Sequence, residues 1–203
     1  MSSFPVAAML GFARKRRLVE CCETCGEALQ PDHEHTFDPV RRTLRCTCRL
    51  CAMAQESSYP RIPKTVRMLP QFKVSDQQWT LLAIPVALAF FSYSTHAQGI
   101  VVQYPGPAGV MESSIEANSW EELCRLNPAL RTMLPDVQAL LVNRVDTTRR
   151  YFIVPIEVCY KLCGLIRRSW QGFSGGTAAW AEMASFFDDL ARTSEAWADE
   201  ETA

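Results

Sequence analysis

The chain has almost no net charge: 21 Lys and Arg face 22 Asp and Glu, for a formal charge of −1. That balance argues against a dedicated nucleic-acid binder, which needs a strong basic footprint. Long apolar runs are missing too. The longest, 81–91, has eleven residues with Pro85 inside it, too short to span a bilayer. At the N-terminus an apolar stretch precedes the basic run 14–17, the reverse of secretory order. Histidine is scarce, with three in 203 residues. There is no Lys-Ser/Thr phosphate-loop signature, no nucleophile beside a base and no paired carboxylates suited to a polar pocket. The search for an active site ends empty, and the expectation is a protein that is not an enzyme.

Cysteine is what the chain has in excess. Six of its nine cysteines lie between Cys21 and Cys51, in the pattern Cys22-x-x-Cys25, His33-x-His35, Cys46-x-Cys48-x-x-Cys51. The odd number and the C-x-x-C crowding speak against a disulfide framework and for reduced thiols in the cytoplasm. Two C-x-x-C pairs separated by twenty-two residues match the spacing of a four-cysteine zinc ribbon. Each knuckle places two sulfurs on one side of an ion, and Gly26 after Cys25 frees the turn. The expected ligands are Cys22, Cys25, Cys48 and Cys51.

Cys46 and His35 are held in reserve. If 43–48 is extended, Cys46 and Cys48 share a face, and Cys46 either replaces Cys48 or stands beside it. His33 and His35 alternate onto one face; one of them completes a Cys/His site or hydrogen-bonds a thiolate, or both are ordinary polar loop residues. Zinc leads as the metal, with mononuclear iron or an iron–sulfur cluster as the alternative, because cysteine-only ligation serves both. A closed four-cysteine zinc site leaves no room for substrate and is structural.

Five segments are expected: an apolar and basic tail (1–20), whose residues 4–17 could touch a membrane surface; the cysteine-rich module (21–54); a proline-rich connector (55–72); an α+β body (73–195); and an acidic, solvated tail (196–203). The connector carries Pro60, Pro63 and Pro70, with Ile62, Val66, Leu69 and Phe72 as apolar anchors onto the body.

In the body, Ser75 caps a helix running to about 83, with Gln78 at the capping-box position. Apolar runs at 86–94 and 100–104 form a hairpin, and 105–109 is an irregular turn. A short helix starts at 119 and ends near 127. A second strand pair, 137–145 and 150–154, precedes a helix from 155 to 170. The glycine-rich stretch 172–176 then turns into a last helix from 177 to 192. There Trp180, Met183, Ala184, Phe187 and Leu190 are expected to form one buried stripe. The order implies α+β: a zinc-ribbon-like module followed by an antiparallel sheet with helices on one face. Cys124, Cys159 and Cys163 read as small core residues.

Several stretches together resemble an uncharacterised bacterial family, number 5947 among the domains of unknown function, often encoded beside nickel–iron hydrogenase genes. They include Cys22-Glu23-Thr24-Cys25-Gly26, His33-x-His35, Leu44-x-Cys46-x-Cys48-Arg49-x-Cys51 and Ile84-Pro85-Val86-x-Leu88-Ala89-Phe90-Phe91. Tyr104-Pro105-x-Pro107-Ala108-Gly109, Trp120-Glu121-Glu122-Leu123, Val154-Pro155-Ile156-x-Val158-Cys159-Tyr160 and Trp170-x-Gly172-Phe173 add to it. The resemblance covers most of 22–190. It implies a metal-binding accessory or subunit protein of a hydrogenase system, acting by docking on a larger redox enzyme. An iron or iron–sulfur electron carrier is the alternative. A nucleic-acid-binding ribbon using Arg41, Arg42, Arg45 and Arg49 is the third reading.

Overall fold

In chain order the elements are β1 (Glu34–Asp38), β2 (Thr43–Thr47), α1 (Arg49–Ala54), β3 (Arg67–Met68), α2 (Asp76–Leu81), β4 (Leu88–Ser94), β5 (Gly99–Gly106), β6 (Gly109–Ser114), α3 (Ala117–Leu126), a 3-10 turn (Pro128–Thr132), β7 (Gln138–Asn143), β8 (Arg150–Pro155), α4 (Ile156–Ser169), α5 (Gly176–Thr193) and β9 (Glu195–Ala196). The structure, a computed structural model, describes residues 19–197 apart from 83, 85, 107, 108, 173 and 174. The apolar and basic stretch 4–17, most of the acidic tail, and Pro85, Pro107, Ala108 and Phe173 of the resemblance lie outside the described residues.

One seven-stranded sheet, in the order β6-β5-β4-β7-β8-β3-β9, carries the body. Its pairings are antiparallel except β3 with β9, which is parallel. The two expected hairpins form, β4 with β5 and β7 with β8. Strand β6 was not foreseen. Where an irregular turn was expected, Gly106 pairs with Gly109 and the chain returns as β6. Residues 110–114 are exposed, so burial on neither face imposes an alternating pattern that would reveal a strand.

The sheet is covered on both faces, not one. Neighbouring residues of a strand point to opposite sides, yet every residue of β7 is buried, as are residues 88–92 of β4 and 151–155 of β8. Leu88, Phe90, Ala139, Leu141, Phe152 and Val154 face α4 and α5 and meet Cys159, Leu162, Ile166, Met183 and Phe187. Ala89, Phe91, Leu140, Val142, Tyr151 and Ile153 face the other way, toward Leu123, Cys124, Ala129, Leu130 and Leu82. Burying a side chain such as Phe90 or Phe152 contributes about 2 kcal/mol over leaving it exposed. An unbroken apolar run such as Leu88-Ala89-Phe90-Phe91 is the mark of a strand buried on two faces.

α2 carries the expected capping box: Ser75 Oγ accepts from Gln78 N–H (3.1 Å), and Gln78 Oε1 accepts from Ser75 N–H (2.9 Å). On α5 the buried stripe is Ala179, Met183, Phe187 and Leu190, while Ala184 is exposed. Trp180 also lies outside the stripe, 42% exposed beside Trp170. The expected stripe thus takes in two residues of the wrong face, because apolar character alone set its width. Between α4 and α5 the chain makes the expected helix-to-helix turn. Gly175 (φ +88°) is held there because a Cβ would come within 3.1 Å of the Trp170 ring.

The core runs through the expected segment limits. Phe37 of β1 and Ile62 of the connector, 4% and 5% exposed, belong to the same cluster as α4 and α5. The connector supplies β3 to the sheet, and its 60–62 stretch lies along β1, where Phe37 N–H reaches the Pro60 carbonyl (3.0 Å) and Ile62 N–H the His35 carbonyl (2.9 Å). Glu195 and Ala196, expected in or beside a solvated tail, form the edge strand β9, with Glu195 N–H donating to the Val66 carbonyl (3.0 Å).

Candidate metal centre

Short hydrogen bonds build the first cysteine knuckle. Gly26 N–H donates to the Cys22 carbonyl (2.8 Å) and Cys22 N–H to the Glu27 carbonyl (2.7 Å), closing a turn that Gly26 completes at φ +79°. The second knuckle sits at the start of α1. Cys48 is the helix N-cap, and Cys51 N–H points at its sulfur (3.5 Å). A helix N-terminus favours negative charge, so this position suits a thiolate.

These turns bring Cys22, Cys25, Cys48 and Cys51 together, with all four sulfurs within 4.8 Å of one another. Cys25 Sγ and Cys48 Sγ are 3.9 Å apart. A tetrahedral ion with Zn–S bonds near 2.3 Å requires sulfur separations of about 3.8 Å, so the set has the dimensions of a metal site. Four cysteines in this arrangement can hold an ion such as zinc.

The electrostatics point the same way. Burial pushes the Cys22 thiol up, but the N–H groups of Cys48, Cys25 and Thr24 outweigh it and bring the group down to about 6. Cys51 is pushed up to about 12, chiefly by its contact with Cys48 and then by Cys25. For Cys25 the Glu27 N–H lowers the thiol, but its contacts with Cys22 and Cys48, with some burial, raise it overall. One sulfur ionises readily and its neighbours then resist, as expected of several thiols sharing one small volume. A divalent cation removes that conflict.

Cys46 is not part of this set. β2 ends at Thr47, so Cys48 leaves the strand to cap α1, and the alternation that would put Cys46 and Cys48 on one face does not apply. Cys46 instead lies directly across the hairpin from His35. The reserves Cys46 and His35 form a second group with His33, one donor atom from each lying within 4.8 Å of the others. Burial, with the carboxylates of Glu20 and Glu23, pushes the Cys46 thiol up. Sequence reasoning missed the cross-strand pairing that assembles this trio; the His-x-His spacing was its only local trace.

Polar contacts lock the module together. Arg45 stacks over Tyr59 (4.1 Å to the ring centre) and lies 3.9 Å from Glu23, while Glu23 accepts from Cys46 N–H (2.8 Å). Arg42 pairs with Glu112 of β6 (2.5 Å), tying the hairpin turn to the body. The remaining cysteines serve the core: Cys124 and Cys159 are buried among apolar side chains. Cys21 is exposed, as is His96 in the β4–β5 loop. Among the described residues, no helix is long and apolar enough to cross a membrane.

No curated protein and no solved structure matches the chain. A family model does, over residues 21–194, which takes in both cysteine knuckles, the histidine pair and the whole sheet except β9. The chain belongs to that family, a family of unknown function (DUF5947).

Proposed function

We propose that this protein is a non-catalytic, zinc-binding accessory or subunit protein that docks on a larger redox enzyme, a nickel–iron hydrogenase in the first instance. The observation that carries the reading is the closed four-cysteine set and the helix it anchors. With four thiolates on one ion no position remains for substrate, so the metal contributes folding energy. The helix begun by Cys48 presents Leu50 and Met53 to solvent, 77% and 56% exposed. Two large apolar side chains on a metal-anchored helix suit a protein contact. The hydrogenase assignment rests on the gene neighbourhood implied by the family resemblance.

The reading is tested by affinity capture of the full chain from its native host. Recovery of hydrogenase subunits, reduced when Leu50 and Met53 are both replaced by Glu, supports it; capture of no hydrogenase or related subunit counts against it. The iron or iron–sulfur reading is separated by anaerobic purification, elemental analysis and a visible spectrum. A colourless protein containing zinc removes it. The nucleic-acid reading has less support, because Arg42 and Arg45 are engaged with Glu112, Glu23 and Tyr59.

A further inference from the structure

We infer that His33, His35 and Cys46 form a second metal site, separate from the four-cysteine set, which takes a borderline divalent cation of the zinc class and leaves a coordination position open. The inference goes beyond the docking proposal and does not depend on it.

Three observations carry it. The first is convergence: one ring nitrogen of each histidine and the sulfur of Cys46 lie within 4.8 Å of one another. The hairpin register supplies part of this, because His35 and Cys46 are directly opposed; His33, just ahead of β1, sets its ring edge-on to that of His35 with centres 4.7 Å apart.

The second is orientation. His33 Nδ1 lies 2.8 Å from the Gln30 carbonyl oxygen, and His35 Nδ1 lies 2.7 Å from Glu157 Oε2. A carbonyl and an ionised carboxylate only accept, so each Nδ1 carries a proton, which leaves Nε2 as the nitrogen with which either ring can bind a metal. This is the arrangement in which metal-binding histidines are commonly held, with the far nitrogen donating to a carboxylate or backbone oxygen.

The third is an unsatisfied atom. The His33 side chain is only 6% exposed, and its Nε2 is buried with no hydrogen-bond partner. A buried polar atom without a partner is unfavourable, and an ion on that nitrogen would relieve it. Two imidazoles and one thiolate are a donor set that suits zinc or cobalt, and three protein ligands leave the fourth tetrahedral position for water or an outside donor.

The site is tested with the full-length chain, reduced, equilibrated with zinc ions, freed of excess metal and analysed for zinc per chain. Two ions are expected. His33→Gln and Cys46→Ser should each leave one, and so should Cys22→Ser, which removes the other site. Circular dichroism checks the fold of each variant; if Cys46→Ser does not fold, His33→Gln and Glu157→Gln carry the test. Glu157→Gln, which keeps the side chain's shape but removes the charge that faces His35 and Lys161, should weaken the second ion 10–100-fold and leave the first unchanged. A single ion in the unmodified chain, or a second ion indifferent to His33→Gln, overturns the inference. If only Cys22→Ser removes an ion, the four-cysteine reading stands and this one fails; if only His33→Gln and Cys46→Ser do, the reverse holds.

Discussion

His35 Nδ1 and Glu157 Oε2 are 2.7 Å apart across a sequence separation of 122 residues. The contact joins the hairpin of the cysteine module to the first turn of α4, where the helix dipole also favours the carboxylate. Both side chains are largely withdrawn from water, 31% and 16% exposed. Glu157→Ala should destabilise the protein by about 1–2 kcal/mol in urea titrations. Glu157→Gln, which keeps an acceptor, should recover part of the loss.

Cys48 serves as both helix cap and sulfur donor. Cys48→Ser retains a capping oxygen but removes the thiolate, so it should lose the four-cysteine metal while α1 keeps its start. Because Phe37 and Ile62 join the module to the main core, the whole protein should melt lower, by more than about 8 °C. Chelator treatment of the unmodified chain should lower the melting temperature in the same way, and added zinc should restore it.

The two-faced sheet makes a prediction that a one-faced sheet does not. Leu140 and Leu141 are sequence neighbours on β7, each buried, in opposite clusters. Leu140→Ala and Leu141→Ala should both cost about 2–5 kcal/mol by denaturant unfolding. Were one face solvated, only one of them would be expensive.

Asp136 holds the start of β7 against the end of β4. Its carboxylate accepts from Thr95 N–H (2.9 Å) and Thr95 Oγ1 (2.6 Å), and the residue sits at φ +62°. Asp136→Ala loses both bonds and keeps the strained backbone, so a loss of about 2–4 kcal/mol is expected by thermal or urea unfolding. Asn tolerates this conformation and retains an acceptor, and Asp136→Asn should cost less than half as much.

The core thiols should resist alkylation. Burial pushes Cys163 up to about 11 and Cys159 well above the ordinary thiol range. Both remain protonated at neutral pH, so with the four-cysteine set holding its metal, labelling mapped by mass spectrometry should fall on exposed Cys21 before Cys159 and Cys163. The sign for stability follows. A thiol whose folded value lies above its unfolded one favours folding fully below about pH 9, and that contribution is lost as pH rises toward 11.

Much of the body was legible because local signals agreed with the fold. Ser75 and Gln78 mark a capped helix, and the apolar runs at 86–94 and 137–145 mark strands that form within a few residues of those limits. β6 was invisible because an exposed edge strand needs no apolar alternation. β3 and β9 were hidden for another reason: two-residue strands exist only because a neighbour offers a free edge. The width of the α5 stripe failed similarly, since Trp180 is apolar yet outward.

By itself the sequence determined the four-cysteine set, because C-x-x-C spacing is a local property of a turn and two such turns in one module have one reasonable meeting point. It also determined that the body mixes strands and helices. Only the tertiary structure decided that the sheet is buried on both sides, that Phe37 and Ile62 make the module part of the main core, and that Cys46 belongs with His33 and His35. Those outcomes depend on strand register and on contacts such as His35 with Glu157, between residues far apart along the chain, which no local pattern encodes.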